Sequence, residues 1–229
     1  MAQKLGRGIS EDYTVIQHEY HNPSELQYLG KADGIDVWIN RHFLEAEIRI
    51  GVGCIFPHDA LGWSGGSKIL LPGIAGYETV SQMHLRAANE LGNMLGKTEN
   101  LARKMADAFA RKVGLHAVIN VVLNDKYALL RAFYGDFIAA HRKGILEAQK
   151  VYCFQTPFKV DITVASSYPF DGHDFWIGGD RGLGGANLMT RQGGGIILAA
   201  YCPEGFSSTH KEYAELLQYN REEINRKIQ

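Results

Sequence analysis

Two histidines and a lysine, His58, Lys68 and His84, have the side chains and spacing best suited to chemistry in this sequence. Pro57 biases the chain before it to extended geometry, so the imidazole of His58 is presented at a fixed place. An imidazole with an ordinary pKa of ~6.5 suits proton transfer at neutral pH. The amine of Lys68 can neutralise a phosphate or, when desolvated, form a covalent bond. We therefore predict that His58 and Lys68 are catalytic.

The stretch between them is rich in small residues, Ser64-Gly65-Gly66-Ser67. Backbone N–H groups without bulky side chains form natural anion-binding concavities, so these four residues are predicted to bind a cofactor together with Lys68. The stretch does not match the phosphate-binding loop of ATPases, because Ile69 stands where a Ser or Thr must hold magnesium. Residues 182–187 likewise fail the dinucleotide pattern, because Asn187 replaces its last glycine.

The composition resembles that of an ordinary globular chain, with 45% hydrophobic and 21% charged residues among 229. A net charge of −1 argues against a nucleic-acid or acidic membrane partner. No apolar run approaches the roughly 20 residues of a membrane span, and the N-terminus lacks an apolar signal core. Three widely spaced cysteines without a CxxC pair predict reduced thiols in the cytoplasm: Cys54, Cys153 and Cys202.

Strands and helices alternate in the first two thirds of the chain. A strand over 46–53, half-buried through Ile48, Ile50 and Val52, runs directly into the loop of 56–73, and α/β proteins bind ligands at such strand ends. Other predicted elements are strands at 14–19 and 35–39, a helix within 74–92 with Thr79 or Ser81 as its cap, a helix capped by Thr98 and ended by Gly114, a hairpin of 115–123 with 126–134, and a helix from Asp136 to about 150.

A break in the pattern near Pro157 predicts a domain boundary. The fold class is therefore predicted as α/β, with two α/β domains, mainly parallel sheets and a cleft between the domains near residue 155. Residues 1–154 would be the cofactor-binding domain and residues 160–229 a second α/β domain. The second is predicted to contain buried strands at 160–166 and 195–201 and an amphipathic helix over 210–228. The glycine-rich stretch of 178–185 can be a flexible loop or a mobile lid, which the sequence does not distinguish.

The loop resembles the signature of the nickel-dependent lactate racemase family. That pattern looks like a proline-histidine pair, a small-aromatic-SGG stretch, a lysine, a proline-glycine pair, and a histidine sixteen residues after the lysine. Further matches run along the chain. The matching residues here are Pro57-His58, 62–66, Lys68, Pro72-Gly73 and His84, with INR at 39–41, NVVLN at 120–124, AAHR at 139–142, SYP-x-D at 167–171 and CPEG at 202–205.

The resemblance implies a nickel-pincer nucleotide tethered to Lys68, with nickel bound by His84 and with His58 as the acid/base for the substrate hydroxyl. It also implies racemisation or epimerisation of a 2-hydroxy carboxylic acid, such as lactate, by hydride transfer. Cofactor-assembly enzymes would be partners, and protein made without them would lack the cofactor. Imidazole suits Ni(II), which favours square-planar fields of N and S donors.

The sequence departs from the family in two ways. Family members are longer, with an N-terminal portion that holds a second catalytic histidine, so we expect a fragment, or a separate polypeptide that completes the site. A homo-oligomer is the other association we consider. The substrate-binding glutamine and lysine of the second domain would fall near Trp176 and Gly179; Trp176 and Arg181 are the local substitutes, and Arg181 can bind a carboxylate.

Two rival interpretations remain open. The chain can be a non-catalytic nucleotide- or metal-binding module, or an inactive fragment of such an enzyme, which the missing histidine favours. It can also be a zinc hydrolase built on His58, His84 and Asp59, which ranks last because no HExxH-type spacing occurs.

Overall fold

Two units make up the computed structural model, which describes residues 8–88, 90, 93–169, 172–179 and 181–227. The division falls between Met1–Cys153 and Phe154–Gln229. It lies beside the boundary that the sequence suggests, while the cofactor-binding role of the first unit stays a prediction, as does the cleft. Residues 89, 91–92, Asp171 and the end of the predicted terminal helix at 228 lie outside the described residues.

The first unit begins with irregular chain and a hairpin, followed by a three-stranded sheet with its helices. Its elements are α1 Ile9–Asp12, β1 Leu26–Ala32, β2 Ile35–Asn40, α2 Arg41–Glu45, β3 Ile50–Cys54, β4 Pro57–His58, β5 Gly62–Trp63, α3 Tyr77–Ala88, α4 Leu101–Val113, β6 Ala117–Leu123, β7 Leu129–Gly135 and α5 Ala139–Tyr152, with 3-10 turns at Pro23–Glu25 and Gly66–Ile69.

The sheet of the first unit has the order β3-β6-β7. β3 and β6 are parallel, while β6 and β7 form the predicted antiparallel hairpin. β1 and β2 form a separate antiparallel hairpin. The α/β class is therefore confirmed, and β3–β6 is a parallel pair within a mixed set of sheets.

α4 supplies one wall of the core because its apolar residues recur every three or four positions. Met105, Phe109 and Val113 are buried along this face. Its N-cap is Asn100, whose side chain accepts from Arg103 N, so the prediction of Thr98 as the cap is wrong by two residues. Gly114 ends the helix in the left-handed conformation, as predicted.

β3 buries the face opposite to the one that the sequence suggested. The strand begins only at Ile50, and its inner positions are Gly51 and Gly53, both packed against Ile69. Val52 is 68% exposed. The same outer face continues through Ile119 and Tyr134, which pair with each other across β6 and β7 and are both exposed. The alternation was correctly seen, but small glycines rather than the large residues face the core.

Two further local predictions fail in the first unit. Residues 14–19 form no strand; instead His18 Nε2 lies 3.0 Å from Ala75 O, and its Nδ1 lies 3.0 Å from Asn40 Nδ2. Thr79 does not cap α3, because its hydroxyl donates to Asp36 O from within the helix. In both cases a tertiary hydrogen bond takes the place of the predicted local one.

The second unit is built on one parallel pair, β8 Val160–Ser166 and β9 Thr190–Ala199. α6 Arg181–Met189 packs on both strands, where Gly182 allows close contact with Leu198 and Ser166 O. The glycine-rich stretch is thus partly helical, as α6 and a π-helical turn at Phe175–Gly179, rather than a flexible loop. The strands lie largely exposed within this unit, contrary to the predicted double burial.

The C-terminal segment forms two short helices, α7 Tyr213–Leu216 and α8 Arg221–Lys227, instead of one helix over 210–228. Asn220 interrupts it by starting a new helix: its side chain accepts from Glu223 N, and Glu223 accepts from Asn220 N. This reciprocal pair is a capping box. Within the described residues, no helix combines the length and apolarity of a membrane span.

We predict that Gly62→Ala destabilises the first unit much more than Gly96→Ala. Both glycines have left-handed backbone, with φ of 73° and 76°, so each alanine costs roughly 1–2 kcal/mol of conformational energy. A Cβ at Gly62 would also lie 1.8 Å from Lys97 O, while one at Gly96 meets nothing within 4 Å. Urea unfolding should give a further loss of at least about 2 kcal/mol for Gly62→Ala. Equal losses would contradict the packing.

Candidate functional site

His58 lies in a small antiparallel bridge directly after β3. Pro57 pairs with Trp63 and His58 pairs with Gly62, so the loop folds back on itself within a few residues. The side chain of His58 is only 14% exposed. The fixed position that Pro57 suggested is thus achieved by a two-residue hairpin.

The imidazole of His58 is held at Nδ1. The backbone N–H groups of Ala60 and Leu61 lie 3.2 and 3.3 Å from that nitrogen, and Asp59 Oδ1 lies 3.1 Å from it. A neutral ring accepts from the two amides when Nε2 carries the proton, and a ring protonated at Nδ1 is paired with the carboxylate. Both protonation states of Nδ1 therefore have a partner.

The Ser64–Ser67 stretch is buried, and its polar groups are bonded within the protein. Ser64 Oγ donates to Cys54 O at 2.7 Å, and Ser64 N donates to Phe56 O. Gly66 N donates to Asn120 Oδ1 at 2.9 Å. A Cβ on Gly65 would crowd Asn120 Oδ1, Ile55 and Cys54 O at 3.1–3.2 Å. The glycine pair thus allows the loop to approach the sheet closely.

Two buried charged residues of α4, Arg103 and Asp107, hold the same stretch from the other side. The guanidinium of Arg103 donates to Trp63 O, to Gly65 O at 3.1 Å and to Ser67 Oγ at 3.2 Å. Ser67 Oγ donates to Asp107 Oδ1 at 2.5 Å. Burial lowers the pKa of Arg103 to about 10, while the Asp107 carboxylate opposes that shift. The guanidinium stays protonated at neutral pH, so it remains a donor to the loop.

His141 and Arg142 on α5 complete this support. His141 is fully buried, and its Nε2 lies 2.8 Å from Ser64 O. Arg142 bonds Asp107 at 3.0 Å and Glu99 at 2.7 Å. Burial lowers the pKa of His141 to about 3, and the charge of Arg103 adds to the effect. His141 is therefore neutral at physiological pH.

Some of the backbone N–H groups that were predicted to bind an anion donate to acceptors of the protein. The N–H groups of Ser64 and Gly66 donate to Phe56 O and Asn120, and Lys68 N donates to Gly65 O. Two of the four amides of the stretch, and the amide of Lys68, are thus used by the protein itself. The cofactor contact predicted for Ser64, Gly65, Gly66 and Ser67 stays a prediction, and the geometry favours a supporting role beneath Lys68.

Lys68 lies near enough to His84 to act on it electrostatically, while their predicted roles stay predictions. Lys68 lies in the 3-10 turn after the glycines, and His84 is an exposed residue of α3. Partial desolvation lowers the pKa of His84, the nearby Lys68 cation lowers it further, and Asp59 opposes the shift. Lys68 and Asp59 of the loop thus both influence the charge state of His84 on α3.

The donor set of this neighbourhood does not form a metal site by itself. Among the described residues, which include His58, Asp59 and His84, no group of three or more His, Cys, Asp or Glu is arranged to hold a metal. His58, Asp59 and His84, the residues of the zinc hydrolase interpretation, are thus not grouped as a zinc site among the described residues. The nickel-binding role of His84 stays a prediction. Cavities of about 330 and 280 Å³ in this unit lie elsewhere, against Arg41 and Tyr77.

Trp176 and Arg181 both lie in the second unit. Trp176 is half-exposed in the π-helical turn, where it packs on His210 at 4.7 Å and on Tyr213 at 4.6 Å between ring centroids. Arg181 begins α6, and its Nε donates to Ile177 O at 3.2 Å. Their contact with a substrate stays a prediction.

Comparisons with known proteins identify the family. The family model described as the lactate racemase N-terminal domain matches residues 1–96. The lactate racemases of Lactiplantibacillus plantarum and Thermoanaerobacterium thermosaccharolyticum are 30% and 29% identical over 213 and 212 residues, in each case 90% of this chain and 49% of the relative. The structure of the Thermoanaerobacterium apoprotein superposes with a TM-score of 0.85 at 26% identity, covering 96% of this chain and 56% of that one.

The chain belongs to the lactate racemase family. It spans about half the length of the curated relatives it matches. Family membership confirms the resemblance drawn from the loop motif, and the superposition supports the α/β fold over nearly the whole chain.

The buried charged residues that contact the loop, Arg103 and Asp107, were not predicted from the sequence. Arg103 and Asp107 are four residues apart in α4, and both lie on its buried face beside Met105 and Ala106. Charged side chains are almost never fully buried unless paired. An arginine and an aspartate at helical spacing within an apolar stripe were therefore a usable signal.

We predict that stability falls as the pH drops below about 6.5, partly because of His141. Its pKa is about 3 in the folded state and near 6.5 when unfolded, so the unfolded chain binds the extra proton between those values. The contribution to the unfolding free energy decreases by up to about 1.4 kcal/mol per pH unit in that window. His141→Gln cannot titrate, so urea unfolding between pH 7.5 and 5 should give a shallower slope. Parallel slopes would contradict the assigned charge state.

Proposed function

We propose that this chain provides the cofactor-holding and proton-transfer part of a racemase or epimerase of 2-hydroxy carboxylic acids, lactate or a relative. The supporting observation is that Lys68 and Asp59 both act electrostatically on the His84 imidazole, and that Asp59 in turn lies 3.1 Å from His58 Nδ1. In a member of the lactate racemase family, these are the groups that the reaction needs.

The chemistry of the substrate explains why hydride transfer and proton transfer need different groups. The C2–H of a 2-hydroxy carboxylate is too weak an acid for a side-chain base. Removal of hydride from C2, while a base takes the hydroxyl proton, gives a planar 2-oxo acid. Return of hydride to the opposite face, with the proton restored to oxygen, inverts the centre. The chemistry that a bound nickel-pincer nucleotide would supply is the acceptance and return of that hydride.

His58 would move the hydroxyl proton. Its Nδ1 is held by Ala60 N and Leu61 N or by Asp59, so Nε2 is the atom we assign to proton transfer. When Nδ1 carries a proton toward Asp59, Nε2 would be the ring atom that acts as the base. Asp59 would then stabilise the imidazolium that forms.

Lys68 and His84 would hold the cofactor, through a covalent bond at Nζ and a metal bond from the imidazole. The proposed supporting residues are Ser64, Gly65, Gly66 and Ser67. In the second unit, Trp176 and Arg181 are proposed for substrate binding, since a guanidinium binds carboxylates in a planar, bidentate manner.

A complementing polypeptide is a further part of the proposal, together with the cofactor-assembly enzymes. The chain spans about half the length of its relatives, and its three-stranded sheet exposes an apolar face at Val52, Ile119 and Tyr134. Sheets of the parallel α/β type are normally covered on both faces. The three free cysteines support a reducing compartment, which we propose to be the cytoplasm. A homo-oligomer is the alternative cover for the exposed face.

Covalent attachment at Lys68 tests the proposal directly. We expect protein coexpressed with the assembly enzymes to gain mass, and peptide mapping to place the addition on Lys68. Lys68→Arg should abolish the gain, because a guanidinium cannot replace the amine, while the control Lys126→Arg in the hairpin turn should not change it. Unmodified Lys68 in an active protein would refute the tether.

The roles of His58 and Asp59 can be tested separately from cofactor attachment at Lys68 by measuring turnover. With the complementing polypeptide present, His58→Gln should lower kcat by 10²-fold or more, the usual contribution of acid–base catalysis, and leave Lys68 loaded. Asp59→Asn should lower kcat less and shift the acidic limb of the kcat/KM profile to lower pH, because the imidazolium loses its carboxylate. An unchanged profile would show that Asp59 plays no part.

The second candidate function is a non-catalytic binding module. Metal analysis combined with assays on a panel of 2-hydroxy acids distinguishes the two. Bound nickel with no turnover, even with the complementing polypeptide present, would support the module.

A further inference from the structure

His141 connects α5 to the loop across 77 residues of sequence. Its Nε2 lies 2.8 Å from Ser64 O, and its ring packs directly on Gly66, where a Cβ would lie 2.8 Å from Cγ of the imidazole. Both contacts are made within four residues of Lys68. The ring therefore touches the loop through one hydrogen bond and one close packing contact.

Arg142 decides which nitrogen of His141 carries the proton. Its Nη1 lies 2.8 Å from His141 Nδ1. A guanidinium has only donors, so Nδ1 must accept and the proton of the neutral ring must be on Nε2. Nε2–H is thus the donor to Ser64 O. Arg142 is in turn held by Glu99 and Asp107.

The position of Ser64 is transmitted to Lys68 through Gly65. Gly65 O accepts from Arg103 at 3.1 Å and from Lys68 N at 3.2 Å. A displacement of the Ser64 carbonyl would therefore move the acceptor that starts the 3-10 turn of Lys68. The backbone of Lys68 has little freedom to compensate for such a displacement, since Leu70 N and Leu71 N donate to Ser67 O within the same turn.

We propose that His141 is a positioning residue, a neutral ring fixed by Arg142 that holds residues 64–66 so that the Lys68 amine is directed toward His84. The inference rests on the proposed function only in one respect, namely that the orientation of the Lys68 amine serves to attach the cofactor. The mechanical coupling of His141 to Lys68 stands independently of whether a cofactor binds.

A purely structural histidine would behave differently. Its replacement would lower the unfolding free energy but leave the reactivity of Lys68 unchanged in the molecules that remain folded. A positioning residue changes that reactivity at constant fold. His141→Gln keeps one donor and one acceptor and should rescue, whereas His141→Leu removes both.

The test is trace acetylation of the folded proteins with acetic anhydride, with the Lys68 peptide quantified against the exposed Lys126 as internal reference. We expect His141→Leu to change the Lys68/Lys126 ratio at least threefold and His141→Gln to stay near wild type. Coexpression with the assembly enzymes should show at least tenfold less loading of Lys68 in His141→Leu, since a displacement of about 1 Å can cost ~10²-fold in rate.

A folded His141→Leu protein with the wild-type labelling ratio would overturn the proposal. If His141→Leu does not fold, Gly66→Ala replaces it, because its added methyl group pushes on the ring without removing a buried donor; an unchanged ratio there also overturns it. Wild-type protein that never gains cofactor while the labelling ratios still differ would refute the tether and keep the positioning role.

Discussion

The loop depends on donors for its inward-facing carbonyl groups. Trp63 O, Ser64 O and Gly65 O are each bonded to a side chain from a helix, either Arg103 or His141. A buried carbonyl without a donor costs a few kcal/mol, so these side chains are what permit the loop to be buried. Once these carbonyl groups are fixed, the backbone position from which the Lys68 side chain projects is also fixed. The chemistry proposed for His58, Lys68 and His84 depends on these buried hydrogen bonds.

This arrangement gives the glycine pair a physical meaning that the sequence analysis did not anticipate. Gly66 has φ of 58° and lies against the His141 ring, and Gly65 has φ of 75° and lies against Asn120. Both conditions exclude a side chain. Close approach to a ligand and close approach to the protein's own residues demand the same small residue. A glycine motif therefore locates a tight approach without identifying what lies on the other side.

The candidate site residues could be selected from the sequence because they lie close together along the chain, while their roles stay predictions. His58 and Lys68 are ten residues apart, and the sixteen residues to His84 reach the next helix. The α4 amphipathic pattern and the hairpin were likewise local signals. The failures depended on partners distant in sequence: residues 14–19 bond to Ala75 and Asn40, and β3 turns its glycines inward because Ile69 occupies the space.

The charges of this buried network also explain why it is polar. Arg103 and Arg142 are balanced by Asp107 and Glu99, and well-packed apolar side chains in place of a buried ion pair are often equally stable. Apolar residues would not, however, orient the three carbonyls. A guanidinium with donors in a fixed planar fork imposes one geometry on Trp63, Gly65 and Ser67 together. The network therefore contributes conformational specificity more than stability, which is what a single correctly directed amine at position 68 requires.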